Sequence, residues 1–332
     1  MHIFWIHSNL TYHMAKQIVA FENIPNPQVI LITTRGFEPN NEFTVVKLPF
    51  HHNSITINTK YGILWSWLKI VQLFIILLKA THGKRYDFYL PLSRHVFSQI
   101  LMFLPLCKSF NYYEEGLLYY THDYPKLQKR KTTLLEKIGY FGLYKGYYDF
   151  CDKYNRIYVT DKEAGIFQRD KIILKDFFFN LPVEDLSTQI KLVLVFDALS
   201  YYKKFKWETH KKVLIDIFKF IREEFEPNTV LYYKYHPAQY DSEEVHFIEN
   251  VFNKHCEGVV KYQQLPKEFL IESLLKHNQT SFIINVSSIG LYATRLGHNV
   301  YTYNKLIAKY EPQFKSNIDD WPKHYQKSLH YL

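Results

Sequence analysis

Glycine and cysteine are scarce in this sequence, and the motifs that depend on them are missing. The 332 residues include 11 Gly and 3 Cys. No GxGxxG segment follows an apolar run and no GxxxxGK[ST] segment occurs, so a dinucleotide-type pyrophosphate loop is not supported and P-loop enzymes are excluded. Cys107, Cys151 and Cys256 lie far apart, so neither a disulfide framework nor a zinc site is indicated, and a reduced compartment is expected.

No long uninterrupted apolar run occurs, and a signal peptide is not expected. The most hydrophobic stretch, residues 63–78, contains Lys69 and Gln72. A spanning helix needs about 20 mostly apolar residues. We therefore predict a buried core helix here, with contact at a membrane surface as the alternative. Residues 1–9 have no positively charged start, and His2 and His7 interrupt their apolar run. The expected location is the cytoplasm.

Positive charge is in excess, without forming a long basic arm. Lys and Arg number 41 against 32 Asp and Glu, which gives a formal net charge of +9. Such a balance favours anionic partners. Because the basic residues are dispersed, with short clusters at 126–131 and 203–206, a nucleic-acid partner is not expected. Peripheral attachment to an inner membrane is compatible with the same charge.

Apolar, β-rich runs alternate with helical patterns along the chain. The first half has predicted strands at 2–6, 29–33, 43–48, 86–90, 109–113 and 156–160, and the second half at 191–196, 229–235, 259–261, 281–286 and 299–303. Helices are predicted between them, including 62–80, 93–103 and 125–155. The pattern indicates an α/β protein with two parallel-sheet domains, 1–188 and 189–332, in which 162–188 is the connection. The active site is then expected in a cleft beside the carboxyl ends of the strands.

A pair of carboxylates ends one predicted strand of the first domain. Glu114 and Glu115 precede Gly116 and follow an aromatic, β-rich run. Adjacent carboxylates repel each other, and partial burial raises the pKa of at least one, which suits a general base. The alternative is an acidic turn in which Gly116 supplies an unusual backbone angle.

Two further polar clusters end strands of the second domain. His236 precedes Pro237, which favours an extended conformation for its predecessor and so holds the imidazole at a defined place. Ser287 and Ser288 open a predicted helix that also contains Gly290, and a helix N-terminus suits a phosphate. The alternatives are a capped loop histidine and a serine N-cap.

In this order, the three clusters resemble the bacterial sialyltransferase superfamily marked by D/E-D/E-G, HP and S-S/T motifs, which includes lipooligosaccharide and capsule sialyltransferases. The likeness covers residues 112–290. It implies a GT-B fold, in which two Rossmann-like domains face each other across a deep cleft, and an inverting reaction that needs neither metal nor cofactor. CMP-sialic acid is then the donor substrate. The acceptor is a galactose-type hydroxyl of an oligosaccharide or lipid-linked surface glycan (lipooligosaccharide, O-antigen or capsule). We favour an α-2,3 linkage, although the sequence leaves α-2,6 and α-2,8 open.

The resemblance also implies roles for individual residues. Glu114 and Glu115 hold the general base, and we prefer Glu114, with Glu115 as its partner. His236 acts on the departing phosphate, while the remaining motif residues contribute to donor binding. The predicted donor-binding set is Pro237, Glu268, Ser287, Ser288 and Gly290. Glu268 lies where family members place an acidic residue against the cytidine ribose.

Polar residues after two other strands of the first domain are candidate contacts for the acceptor or for sialic acid. They are His7, Ser8, Asn9, Ser93 and Arg94. Helix capping is an equal alternative for the first three, and a surface ion pair is the more common role for Arg94. The segment 195–199 departs from the resemblance, because several relatives have a Gly-Gln-containing loop there.

Two other functions remain compatible with the same residues. One is a transferase that uses another CMP-activated acid, such as Kdo or a different nonulosonate. The other is a non-catalytic nucleotide- or glycan-binding protein. A UDP- or GDP-sugar transferase is less favoured, because a diphosphate calls for further cationic or glycine-rich recognition.

Overall fold

The computed structural model describes most of the chain and divides it into two units. The described residues are 1–34, 37–40, 42–58, 62–93, 95–120, 131–146, 151–164, 170–240, 242–256, 260–276, 280–314 and 321–332. Unit 1 is Met1–Phe177 and unit 2 is Phe178–Leu332. Residues 178–188 pack within unit 2, where Lys276 donates to the carbonyl of Leu181 and Phe178 lies 4.8 Å from the ring of Tyr292.

Unit 1 contains a parallel sheet with the strand order β3-β2-β1-β4-β5-β6-β7. Its strands are β1 His2–Ile6, β2 Val29–Thr33, β3 Thr44–Lys47, β4 Tyr86–Leu90, β5 Cys107–Tyr113, β6 Tyr154–Val159 and β7 Lys171–Ile173. Its helices are α1 Asn9–Phe21, α2 Gly62–Ala80, α3 Val96–Phe103 and α4 Leu134–Gly139. The central strands are buried, as is usual where helical crossovers cover both faces of a parallel sheet.

Unit 2 repeats the same architecture with the strand order β10-β9-β8-β11-β12-β13. Its strands are β8 Leu192–Val195, β9 Val230–Lys234, β10 Lys261–Gln264, β11 Ser281–Ile284, β12 Val300–Thr302 and β13 His330–Tyr331. Its helices are α5 Trp207–Glu224, α6 Glu243–Cys256, α7 Ser288–Arg295, α8 Asn304–Tyr310 and α9 Lys323–Lys327. The predicted α/β architecture of two parallel-sheet domains is confirmed.

Two element predictions for the middle of the chain are wrong. Within the described part of 125–155, the helix α4 spans only six residues, because glycines follow it and the backbone turns with positive φ at Phe141, Gly142 and Gly146. The supposed connection 162–188 contains β7, which pairs with β6 and extends the sheet of unit 1. Three residues are too short a run to show strand alternation in the sequence.

The predicted core helix is helical but is not buried in the core. In α2 only Gly62, Ser66, Ile70, Leu73 and Leu77 are buried. The opposite face is apolar and exposed. By length and composition alone, this helix could cross a membrane. The buried stripe is narrow because only one face of the helix packs onto unit 1.

Candidate functional site

The first candidate site lies at the carboxyl ends of the strands in unit 1. His7 follows β1, Ser93 follows β4, and Glu114 and Glu115 follow β5. The strands β1, β4 and β5 are neighbours and parallel, so these residues lie at the same edge of one sheet. The predicted candidate Arg94 lies outside the described residues.

Glu114 is buried and accepts hydrogen bonds from two segments of unit 1. The residue is 1% exposed, and its carboxylate accepts hydrogen bonds from the backbone N–H of Thr160 at 2.6 Å and from the Thr160 hydroxyl at 2.9 Å. The Tyr120 hydroxyl donates to it at 2.9 Å. These bonds join the end of β5 to the end of β6, so the side chain has a clear structural role.

Glu115 is more accessible and contacts an imidazole. Its side chain is 17% exposed, and one carboxylate oxygen lies 2.8 Å from Nε2 of His7, whose Nδ1 is buried without a hydrogen-bond partner. The turn that positions it needs a φ of +123° at Gly116, which glycine adopts without a Cβ clash. The structure thus brings together a carboxylate and a histidine from the ends of β5 and β1.

The other polar candidates of unit 1 have local roles. Ser8 is the N-cap of α1 and forms a capping box with Thr11. Asn9 is the first residue of the same helix. Ser93 is buried, and its carbonyl accepts a hydrogen bond from the Gln99 side chain at 2.8 Å.

Two open cavities lie at this edge of unit 1, and both are partly lined by His52. One has a volume of about 320 Å³ and includes His95 in its lining, and the other has a volume of about 390 Å³ and includes His51. The ring of Trp5 lies 5.9 Å from His7, 5.6 Å from His95 and 6.1 Å from His52. Trp5 therefore lies near His7 and near two of the histidines that line these cavities.

The sequence reasoning did not include His51, His52 or His95 among the candidates. Each follows a strand of the first domain at a short distance, which is the signal that could have found them. The approach of His52 and His95 to Trp5 depends on the strand order β3-β2-β1-β4, which the sequence does not show.

The second candidate site lies at the carboxyl ends of the strands in unit 2. His236 is exposed, and its Nδ1 accepts a hydrogen bond from the backbone N–H of Ala238 at 3.1 Å. In a neutral imidazole this bond leaves the proton on Nε2, so Nε2 is the donor nitrogen. The backbone N–H of His236 donates to the Gln239 side chain at 2.9 Å, which fixes the turn that contains Pro237.

The buried carboxylate of Glu244 holds this turn through Gln239. Gln239 donates to Glu244 at 3.1 Å, Ser200 also donates to it, and His210 lies 3.6 Å away. Burial alone would raise the pKa of Glu244, but the donor groups of His210, Ser200 and Gln239 outweigh it and lower the pKa below its ordinary value. The loop of His236 is thereby connected to the start of α6.

The start of α7 provides hydroxyls beside an open helix N-terminus. Ser287 is the N-cap residue, but its side chain makes no capping hydrogen bond, and Ser288 is the first helical residue. Both are partly exposed. Gly290 is buried, and a Cβ at this position would clash with the Cδ1 atom of Ile284. Its absent side chain lets α7 pack closely on β11, which gives Gly290 a packing role.

Asp197 lies between these two clusters in the strand order, after β8. Its carboxylate accepts a hydrogen bond from the backbone N–H of Leu199 at 2.9 Å. Burial raises the pKa of Asp197, and the hydrogen bond from Leu199 opposes that rise. This aspartate occupies the segment 195–199 that departs from the family resemblance, directly after the end of β8.

Glu268 is exposed in a loop that a buried lysine holds. Lys234 donates to the carbonyls of Pro266 and Lys267, each at 2.9 Å. Burial lowers the pKa of Lys234 to about 8, although Glu272, Glu268 and Glu184 oppose the shift. Among the described residues no group of three or more His, Cys, Asp or Glu could hold a metal ion.

Comparison with known proteins establishes the fold. No protein-family model matches the chain, and no match is found among curated protein sequences. A UDP-GlcNAc 2-epimerase from Neisseria meningitidis, bound to UDP-GlcNAc, aligns with a TM-score of 0.50 and 10% identity over 100% of this chain and 95% of that one. The wall teichoic acid polymerase TagF, soaked with CDPG, aligns with a TM-score of 0.50 and 9% identity over 100% and 76%. With two parallel-sheet units, these likenesses confirm the predicted GT-B fold of two Rossmann-like domains.

Proposed function

We propose that this chain is an inverting, metal-independent glycosyltransferase that moves sialic acid from CMP-sialic acid to a galactose-type hydroxyl of a surface glycan. The observation that carries the proposal is the grouping of His236 and the open N-terminus of α7 at one edge of the unit 2 sheet. The fold is one that binds UDP-GlcNAc in the Neisseria epimerase. The order of the three motifs supports the sialyltransferase assignment within that fold.

The donor side of the proposal uses unit 2. Nε2 of His236 donates to the leaving phosphate, and Ser287 and Ser288 bind the same group with the backbone N–H groups of α7. One imidazole and one helix start suit a monophosphate, whereas a diphosphate calls for more donors. Pro237 keeps the histidine turn extended, and Glu268 accepts from the cytidine ribose.

The acceptor side uses unit 1, and its geometry favours Glu115 as the base. Glu114 is buried and accepts hydrogen bonds from Thr160 and Tyr120, whereas the Glu115 side chain is 17% exposed and contacts His7. In the reaction Glu115 takes the proton of the acceptor hydroxyl while that oxygen bonds to the anomeric carbon. The bond from this carbon to the CMP phosphate breaks on the opposite face, which inverts the configuration.

The rate enhancements expected from these groups are of the size that general bases and hydrogen-bond donors usually give. A positioned general base contributes about 10²–10⁴ in rate. Each donor fixed where charge develops on the leaving phosphate contributes roughly a few kcal/mol. His236 and the start of α7 supply such donors without a divalent cation in the proposed reaction.

Single substitutions of Glu114 and Glu115 are expected to have different effects. Glu115→Gln is expected to lower kcat by about 10²–10⁴, because the base is lost, while CMP binding by unit 2 is unchanged. Glu114→Gln is expected to lower the thermal stability of unit 1, because its amide faces the donors of Thr160 and Tyr120. The assay is CMP release from CMP-sialic acid with a lactose-type acceptor, with and without EDTA. Full activity of both variants would contradict the assignment of the base.

Assays with several CMP-linked donors test which sugar is transferred. Turnover of CMP-sialic acid, with the product identified by mass spectrometry and NMR, supports the proposal and gives the linkage. Thermal stabilisation by CMP without turnover of CMP-sialic acid, together with turnover of CMP-Kdo, would identify the alternative CMP-linked acid. Stabilisation by CMP with no transfer from any donor would identify a non-catalytic binding protein.

The proposed location is the cytoplasm, at the inner membrane surface. Oligosaccharide or lipid-linked glycan acceptors are the proposed partners, and the formal net charge of +9 suits an anionic surface. No role for nucleic acid is proposed.

A further inference from the structure

One face of α2 is largely apolar and open to solvent. Its large exposed side chains are Leu64, Trp65, Leu68, Val71, Ile75 and Leu78. Trp65 and Leu68 are 56% and 52% exposed. At 3.6 residues per turn these positions form one stripe along the helix. A contiguous apolar surface of this size marks an interaction site rather than ordinary surface.

The short helix α4 extends this surface. Trp67 stacks on Phe141 at 5.1 Å, and its indole N–H donates to the carbonyl of Ile138 at 3.0 Å. Leu134, Leu135, Ile138 and Phe141 are themselves exposed. We call the exposed apolar residues of α2 and α4, with Phe141, the α2–α4 face.

The other side of α2 is packed firmly onto unit 1. Ile70, Leu73 and Leu77 are buried, and Lys69 donates to the carbonyl of Ser54 at 2.8 Å. Gly62 lies so close to the backbone of Ile57 that a Cβ would clash. A spanning orientation would strip these contacts from unit 1, so the packing favours a helix that lies along a surface.

Positive charge lies at the C-terminal end of α2 and on α4, beside the α2–α4 face. Residues 62–86 contain no Asp or Glu. Lys79, Lys84 and Arg85 are exposed at the end of α2, and Lys137 is exposed on α4. Glu136, the one acidic residue of α4, is buried in a capping box with Thr133. An apolar stripe with a cationic rim is the signature of a helix that lies in the interface of an anionic bilayer.

We infer that the α2–α4 face docks unit 1 onto an anionic phospholipid surface, with α2 lying in the plane of the membrane. The apolar side chains enter the boundary between headgroups and acyl chains, and the cationic rim contacts lipid phosphates. A second copy of this chain is a poorer occupant, because two such rims would repel each other. Membrane docking of this kind does not depend on glycosyl transfer, so a catalytically inactive chain would show it too.

Co-sedimentation of the full chain with vesicles tests the inference. Binding to phosphatidylcholine vesicles that contain phosphatidylglycerol is expected to exceed binding to pure phosphatidylcholine vesicles. The double variant Trp65→Gln/Leu68→Gln is expected to bind at least about tenfold more weakly, because two apolar anchors are lost. The matched control is Val183→Gln, which removes an apolar side chain that is 60% exposed in unit 2. It is expected to bind like the unsubstituted chain.

The cationic rim is tested separately. Lys79→Gln/Lys84→Gln/Arg85→Gln is expected to weaken binding to the anionic vesicles by roughly 10–100-fold and to leave binding to neutral vesicles unchanged. A blue shift of tryptophan fluorescence on vesicle addition that is smaller in Trp65→Phe places the α2–α4 face in the lipid. Melting temperatures close to that of the unsubstituted chain confirm that the variants fold.

Three outcomes would overturn the inference. One is equal vesicle binding by the Trp65→Gln/Leu68→Gln variant and the unsubstituted chain. Another is a dimer in solution that this variant abolishes while vesicle binding is absent, which identifies a second copy as the occupant. The last is retention in membranes after alkaline carbonate extraction, which identifies a spanning helix.

Discussion

Glu114 and Glu115 are adjacent in sequence, but their carboxylates meet different partners. The first is enclosed by Thr160 and Tyr120, and the second reaches His7 at the edge of the sheet. Consecutive residues of an extended chain point to opposite sides, so the two side chains can meet different surroundings. At the scale of single residues, the surroundings and not the residue type distinguish a structural carboxylate from a candidate base.

His7 is predicted to position Glu115. His7→Gln is expected to lower kcat/KM by roughly 10–100-fold, because the carboxylate loses the imidazole that lies 2.8 Å away and holds it in place. The measurement is kcat and KM for the acceptor together with CMP affinity, which is expected to stay constant. Ser8→Ala is the neighbouring control. It removes the N-cap of α1 and is expected to cost about 1 kcal/mol of stability without lowering kcat/KM.

The helix α7 shows how one element positions a candidate phosphate site. Its N-cap Ser287 is partly exposed and makes no capping bond, while Gly290, less than one turn further on, packs against Ile284 of β11. Because a Cβ at 290 would meet Ile284, the contact sets how closely the helix lies on the sheet. The position of the helix start therefore depends on a buried packing contact.

This contact is testable by a pair of substitutions. Gly290→Ala is expected to destabilise unit 2 by about 1–3 kcal/mol and to weaken CMP binding, because the overpacked helix must shift. Adding Ile284→Val removes the Cδ1 atom that the new Cβ meets. The double variant is expected to be more stable than the sum of the single changes by about 1 kcal/mol, as measured by denaturant unfolding. Strict additivity would show that the two residues do not interact.

At the scale of the whole molecule, each unit has its own sheet and its own buried residues. The core of unit 2 consists of apolar residues from its strands and from α5 and α6. In unit 1 the buried strands β1, β2 and β4 contribute to the core. Each unit therefore contains the apolar burial that a cooperative unfolding transition needs.

The stability of unit 1 is predicted to fall in mild acid. Burial, with a smaller contribution from Lys16, lowers the pKa of His13 on α1 from 6.5 to about 4, and Glu42 opposes this shift. Between these values the unfolded chain binds a proton that the folded state does not, so stability is lost as the pH falls below 6.5. The loss is on the order of 2–3 kcal/mol at most.

The measurement is thermal unfolding of the full chain across this pH range. His13→Gln is expected to flatten the pH dependence of the transition of unit 1. The control His246→Gln removes an imidazole that is 79% exposed on α6 and is expected to leave that transition unchanged. An unaltered pH dependence in His13→Gln would contradict the prediction.

Much of the fold could be predicted because buried parallel strands are local apolar runs. The predicted strands 2–6, 29–33 and 86–90 agree with β1, β2 and β4 at both ends. The helix 62–80 likewise agrees with α2. Short elements such as β7 and β13 were missed, because runs of three or two residues carry no periodicity and form only against an existing sheet edge.

By itself the sequence determined the alternation of strands and helices, and with it the positions of the acidic, histidine and serine clusters at strand ends. These features depend on neighbours along the chain. Only the tertiary structure decided which carboxylate is buried, since the partner of Glu114 lies 46 residues away at Thr160. It also decided that α2 presents an apolar face to solvent, because burial is a property of the surfaces that meet after folding.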